Sequence, residues 1–173
     1  ANFYGRDFMV NEKVLIPRFD TEVLTARVLE ILKGKPPAKI ADICTGSGAV
    51  AVTLSLELPQ AEVWASDLSS EALAVAEENN LKLGGRVRFL EGDLFEPFRA
   101  EKMNGYFDLI VSNPPYITKQ EMSELTAEVL REPHLALYGW EDGLDFYRRI
   151  AEEGRSFLKA DGRLLLEVGY RQA

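Results

Sequence analysis

The residues with the most chemical content stand at the end of an apolar run. In "FDLIVSNPPYI", Phe107 to Ile117, a buried strand runs straight into Asn113, Pro114, Pro115 and Tyr116. Two prolines cannot continue a sheet or enter a helix interior. Asn113 precedes proline, so its backbone is held extended. Pro114 and Pro115 have fixed φ and no N–H, which leaves their carbonyls as acceptors on a rigid backbone. The side-chain oxygen of Asn113 and the carbonyl of Pro114 can together take both protons of a planar NH₂ group. Tyr116 offers a flat face to the rest of that group. Alkylation of an amide or aromatic amine needs this arrangement, because the nitrogen lone pair is delocalised and a poor nucleophile. Two acceptors orient it, favour loss of delocalisation and stabilise the positive charge that develops, without a strong base. The plainer reading is a rigid loop after a core strand. The paired prolines and the tyrosine weigh against it.

A second constellation lies upstream. "ADICTGSGAVAV" sets Cys44, Thr45, Gly46, Ser47 and Gly48 between a buried strand and a helix. Glycine admits positive φ and brings no Cβ, so a ligand can lie against the backbone. The helix N-terminus adds free N–H groups. Asp67 closes the next strand, 19 residues after Gly48, where a carboxylate can accept from ribose hydroxyls. Its plainer role is to cap the helix beginning near Ser69. Ala51 replaces the third glycine of a dinucleotide loop, and the lysine of a phosphate-binding loop is missing. A nucleoside without a phosphate chain fits better, and S-adenosylmethionine is the candidate. Asp93 can accept from an adenine amine, or serve as a turn residue, and Leu94 can pack on the base.

These residues need a scaffold that brings two strand ends together. Residues 3–16 alternate apolar and polar around Asn11-Glu12, which predicts a hairpin. A helix is expected over 21–33, capped by Asp20 or Thr21. Strands then alternate with helices: "AKIADI", a helix to Leu58, "EVWAS", a helix over 69–84, "RVRFLEGD", "FDLIVSN", a helix over 143–159 and "GRLLLEVG". That rhythm predicts a doubly wound, mostly parallel α/β sheet. Residues 113–142 break it, with one short helix expected in "QEMSELTAEVL"; a connection of that length is usually functional or disordered.

The chain has 173 residues, a formal net charge of −8, 28% charged and 46% apolar residues, one cysteine and one histidine. One sizeable core is expected. The negative charge disfavours a phosphate-gripping surface. No apolar run reaches the roughly 20 residues of a membrane span. A single cysteine excludes an internal disulfide and fits a reducing cytoplasm. No cysteine–histidine set suggests a metal.

Taken together, "FYGRDFMVNEKVLIPRFDTE", "DICTGSGAVAV", Asn-Pro-Pro-Tyr, "EPHLALYGWEDGLDFYRRI" and "GRLLLEVG" closely resemble the HemK/PrmC family of class I S-adenosylmethionine-dependent methyltransferases, over nearly the whole chain. The resemblance implies a Rossmann-like catalytic domain over 20–173, with residues 1–19 a hairpin and linker from the junction with an N-terminal helical domain. That domain and the final helix and strands have no match here, so a piece of a longer protein is expected. The implied activity is methylation of the glutamine amide in the Gly-Gly-Gln motif of peptide-chain release factors, leaving S-adenosylhomocysteine. By this resemblance the cofactor contacts are Thr45, Gly46, Ser47, Gly48, Asp67 and Leu94, to which Cys44, Asp93 and Asn113 are added, and Asn113, Pro114, Pro115 and Tyr116 bind glutamine. Asn113, Pro114 and Tyr116 are the expected catalytic set. Cys44 stands where glycine is usual and Phe19 where proline is frequent.

The family's Asn-Pro-Pro-Tyr motif is shared with methyltransferases of adenine and guanine amines, so a DNA or RNA substrate is the alternative. A non-catalytic cofactor-binding module is the third reading. A monomer without membrane or direct nucleic-acid contact is expected. His134 reads as a surface residue, Cys44 as part of the loop rather than a nucleophile, and Trp140 with Asp142-Gly143 as either a helix cap or a cleft wall.

Overall fold

The computed structural model describes residues 1–173 except Glu128, Arg171 and Ala173. A hairpin of β1 (Asn2–Phe3) and β2 (Arg6–Asp7) opens the chain. It turns at Tyr4 and Gly5, not at Asn11-Glu12 as the alternation suggests. Both turn residues have positive φ, 50° and 73°, the requirement of a two-residue turn that matches strand twist. Asn11 instead folds its side chain onto the Lys13 N–H, 2.9 Å, and residues 8–18 run as an irregular strap. Helix α1 (Phe19–Leu32) follows Arg18 with no side-chain cap, so neither Asp20 nor Thr21 caps it.

Five strands form the sheet: β3 (Lys39–Ile43), β4 (Glu62–Asp67), β5 (Val87–Glu91), β6 (Phe107–Ser112) and β7 (Leu158–Leu166). Their order is β5-β4-β3-β6-β7 and every neighbour is parallel. Helices α2 (Ala49–Glu57), α3 (Ser70–Leu83), α4 (Glu96–Ala100) and α7 (Asp145–Phe157) make the crossovers. Side chains alternate across each strand. Ile40, Leu109 and Val111 therefore enter the core shared with α1 and α2, whereas Ala41 and Ile110 enter a second core with α4 and α7. In that second core Phe95 stacks on Phe157 at 5.0 Å. Phe3 and Phe8 of the opening segment are buried in the first core.

The excursion after β6 holds α5 (Lys119–Met122), a 3₁₀ turn over Val129–Arg131 and α6 (His134–Leu137). The single helix expected over 120–130, which includes the undescribed Glu128, is not formed. A capping box of Thr118 and Glu121 starts α5. Ser123 then turns its hydroxyl back onto the Gln120 carbonyl, 2.6 Å, the kind of local competition that ends helices. Ile117 and Tyr138 bridge as parallel strands, which closes the excursion on itself.

The chain runs β3, β4, β5 in one direction and then places β6 on the other side of β3. The loops after β3 and β6 therefore diverge. In open parallel sheets that crevice, at the carboxyl ends of the strands, is where ligands bind.

Candidate active site

The loop after β3 is held by hydrogen bonds to β4. Cys44, Gly46 and Gly48 have φ of 60°, 56° and 78°. The Thr45 N–H donates to the Ser66 carbonyl at 3.0 Å, and the Thr45 hydroxyl to Asp42 Oδ2 at 2.7 Å. Gly46 N–H donates to Asp67 Oδ2 at 2.8 Å and Ser69 N–H to Asp67 Oδ1 at 3.0 Å. Asp67 thus pins the loop to the end of β4, and Ser69 rather than Asp67 caps α3 through the Ala72 N–H. A Cβ built on Gly46 meets nothing, so this position faces open space, whereas one on Gly48 lies 3.0 Å from the Ala76 Cβ. Gly48 lets α2 approach α3. Burial raises the Asp67 pKa, and burial pushes Asp42 up to about 7 against its Thr45 hydrogen bond. Burial, with the Asp67 and Asp42 charges, pushes the Cys44 thiol well above its ordinary range, so a nucleophilic thiolate is disfavoured.

Above this loop lies a cavity of about 370 Å³, within the range of small-molecule clefts. Cys44, Thr45, Gly46, Ser47, Asp67, Asp93, Leu94, Asn113 and Pro115 line it; Gly48, Pro114 and Tyr116 do not. The strap contributes Glu12 to Leu15 and Pro17, and the α6 region Pro133, Leu135 and Ala136. These two walls are joined by Glu132, which accepts the Ile16 N–H at 3.1 Å and the Arg18 guanidinium at 2.5 Å. On the far side Asn79 fastens the strap, accepting Met9 N–H and donating to the Met9 and Ser47 carbonyls. Four acids, Glu12, Asp67, Glu71 and Asp93, face one base, Lys13, with the buried Asp42 beneath them; Lys13 pairs with Glu71 at 3.1 Å. That field suits a cationic ligand and repels a phosphate chain. Asp93 is already paired with Arg149, 2.5 Å away on α7.

Asn113 stands where β6 ends. Its Nδ2 donates to the Thr21 hydroxyl at 3.1 Å. Among the described residues no hydrogen bond of the chain reaches its Oδ1 or the Pro114 carbonyl. The following backbone is clamped by glycines. A Cβ on Gly139 lies 2.7 Å from the Tyr116 Cα, and one on Gly143 collides with the Tyr116 carbonyl. Tyr116 is half-buried, and burial raises its pKa.

Thr21, Glu167, Gly139, Asn79 and the strap join the site without a functional signal of their own in the sequence. Only Gly139, in a stretch without a strand or helix signal, carries a local hint. His134 is exposed and its ring lies 5.0 Å from that of Tyr138. Trp140 is exposed outside the cavity wall, while Asp142 takes the Leu144 N–H at the start of α7. The described residues contain no metal-binding group of His, Cys, Asp or Glu, and no helix long and apolar enough to cross a membrane.

A parallel five-stranded sheet with a glycine loop, an acid closing the next strand and a cleft at the reversal of strand order is the Rossmann-like architecture of the class I methyltransferases. The methyltransferase small domain model matches residues 20–143, and the chain belongs to that family. The chain is 45% identical over 174 residues to a release factor glutamine methyltransferase of Bacillus cereus, covering 98% of the chain and 61% of the relative. It is 46% identical over 176 residues to the Bacillus subtilis protein of the same description, covering 98% and 60%. The chain therefore spans about three fifths of these curated relatives. Among solved structures, a ribosomal protein L11 methylase from Lactobacillus delbrueckii subsp. bulgaricus is 26% identical with a TM-score of 0.55, over 87% of this chain and 61% of that one. A Pyrococcus furiosus methyltransferase, 19% identical, shares the fold with a TM-score of 0.68 over 96% and 71%.

Proposed function

We propose that this chain is the methyl-transferring part of an enzyme that modifies the side-chain amide of the glutamine in the Gly-Gly-Gln motif of peptide-chain release factors, in the cytoplasm. The observation that carries the reading is the Asn113 corner. An amide whose nitrogen is tied to Thr21 keeps its oxygen for an incoming NH₂ group, beside a cavity suited to a cationic nucleoside. The relatives described as release factor glutamine methyltransferases support the choice of substrate, and the acidic cavity wall weighs against a nucleic acid.

The residues present fit S-adenosylmethionine. Gly46 leaves open space at the loop. Asp67 holds its carboxylate on two backbone N–H groups and keeps lone pairs for ribose hydroxyls, and Leu94 and Asp93 wall the base. Bound there, S-adenosylmethionine supplies an electrophilic methyl group on a sulfonium and departs as S-adenosylhomocysteine. Asn113 Oδ1 and the Pro114 carbonyl accept the two protons of the glutamine NH₂. They hold its nitrogen in line and stabilise the charge it gains, a contribution of about 10²–10³ in rate for one such group. Pro115 and Tyr116 confine the amide plane. The proton leaves after transfer, so no residue of the site must be a strong base.

Incubating the full-length protein with methyl-labelled S-adenosylmethionine and a release factor, followed by peptide mapping, tests this. Label on the Gly-Gly-Gln glutamine is expected. Label confined to another residue, or appearing only on nucleic acid, contradicts it.

A further inference from the structure

We propose that Thr21 and Glu167 are positioning residues that decide which end of the Asn113 amide faces the cavity. The inference rests on the proposed role of Asn113 and deepens it. Thr21 is 5% exposed and comes from α1, 92 residues before Asn113. Its hydroxyl donates to Glu167 Oε2 at 2.7 Å. A hydroxyl has one proton, and an ionised carboxylate can only accept it. Once that proton is committed to Glu167, the Thr21 oxygen can only accept. The amide of Asn113 must then turn Nδ2 toward Thr21, as the 3.1 Å contact shows, and its oxygen the other way. The reversed amide would set two acceptors against each other with no proton between them.

Glu167 is itself fixed. Its N–H donates to the Ser112 carbonyl at 3.0 Å, next to Asn113, and its carbonyl accepts the Tyr147 hydroxyl at 3.0 Å from α7. The relay therefore ties the start of α1, the end of β6 and the residue after β7 to one orientation of one amide. Neither Thr21 nor Glu167 needs to touch the reacting atoms for this. Each acts through Asn113.

The test uses the full-length protein with three variants, Thr21→Val, Thr21→Ser and Glu167→Gln. It has two readouts: turnover on a release factor, and the side-chain NH₂ signals of Asn113 by NMR. Thr21→Val keeps the shape and removes one of two acceptors on that side of the amide, Glu167 being the other, so turnover should fall on the order of 10-fold, as for a misplaced reacting group. Affinity for S-adenosylhomocysteine should stay within about twofold, since the relay orients only the amide that receives the glutamine. The hydrogen-bonded Asn113 proton should shift upfield. Thr21→Ser restores both readouts. Glu167→Gln falls between, because a glutamine amide can either accept from Thr21 or donate to it. Unchanged turnover and unchanged Asn113 signals in a folded Thr21→Val protein overturn the inference. If the native enzyme leaves glutamine unmodified while the NMR pattern holds, the positioning stands and the proposed reaction fails. If Thr21→Val does not fold, equal losses in Thr21→Ser reject the relay.

Discussion

The two halves of the site are built differently. The half after β3 is held by the ends of two adjacent strands: the Thr45 N–H donates to the Ser66 carbonyl, and the Asp67 carboxylate accepts the Gly46 and Ser69 N–H groups. The half after β6 rests on side chains and glycines from distant parts of the chain: Thr21, Glu167, Gly139 and Gly143. A ligand pocket can grow from two neighbouring strand ends and one carboxylate between them. A pair of acceptors aimed at one nitrogen needs support from outside the sheet. Damage to one half should therefore leave the other largely working.

Removal of Asp67 should have the largest effect. Asp67→Ala strips two backbone N–H groups of a charged acceptor, each such bond worth about 1.5–3 kcal/mol. Affinity for S-adenosylmethionine, read by calorimetry, should drop at least about 100-fold, with the Asn113 side-chain NMR signals unchanged. A loss under about threefold would mean that the carboxylate does not face the ligand.

Asp42 sharpens the comparison through pH. Its folded pKa, about 7, lies above the ordinary 3.8, so folding takes up a proton. The stabilisation from the protonated form is complete below the ordinary value and is lost as pH rises through about 7. Denaturant unfolding at pH 5 and pH 8 should show a gain on acidification on the order of 2–4 kcal/mol from this group. Asp42→Asn should flatten that slope. An unchanged slope would contradict a buried, proton-binding Asp42 beneath the loop.

Gly139→Ala attacks the other half. Its methyl group would press on the Tyr116 backbone. Overpacking of this kind costs about 1–3 kcal/mol. Turnover should fall with cofactor affinity intact; equal losses in both would mean that the halves are coupled. The smallest effect is expected at Cys44, whose φ of 60° favours glycine. Cys44→Gly trades strain relief against lost packing and should alter stability by less than about 1 kcal/mol. A much larger loss would reveal a role for the thiol beyond filling space.

The same contrast explains what was legible in the sequence. Strands 3 to 7, the glycine loop and Asp67 have local signals: apolar runs, glycine after a strand, an acid at the next strand end. Asn113 was visible because two prolines after a buried strand have few structural excuses. The opening hairpin lies earlier than the alternation over residues 3–16 predicts, because its strands are only two residues long and the turn is set by positive φ at Tyr4 and Gly5. Helix α4 was missed because at five residues it carries too little periodicity. Thr21 and Glu167 were unreadable because they meet across 146 residues of chain, and no local pattern marks a residue that acts through a distant partner. Gly48 matched a ligand loop in type, but its space is taken by Ala76.

The central claim is the proposed one, that Asn113 acts chiefly on the methyl-accepting amide and contributes little to cofactor affinity. Its most direct test measures turnover on a release factor and the dissociation constant for S-adenosylhomocysteine, side by side, in native and Asn113→Ala full-length protein. The expected result is a loss of turnover of at least about 100-fold with the dissociation constant unchanged within about twofold. Preserved turnover, or a matching collapse of cofactor affinity, would contradict it.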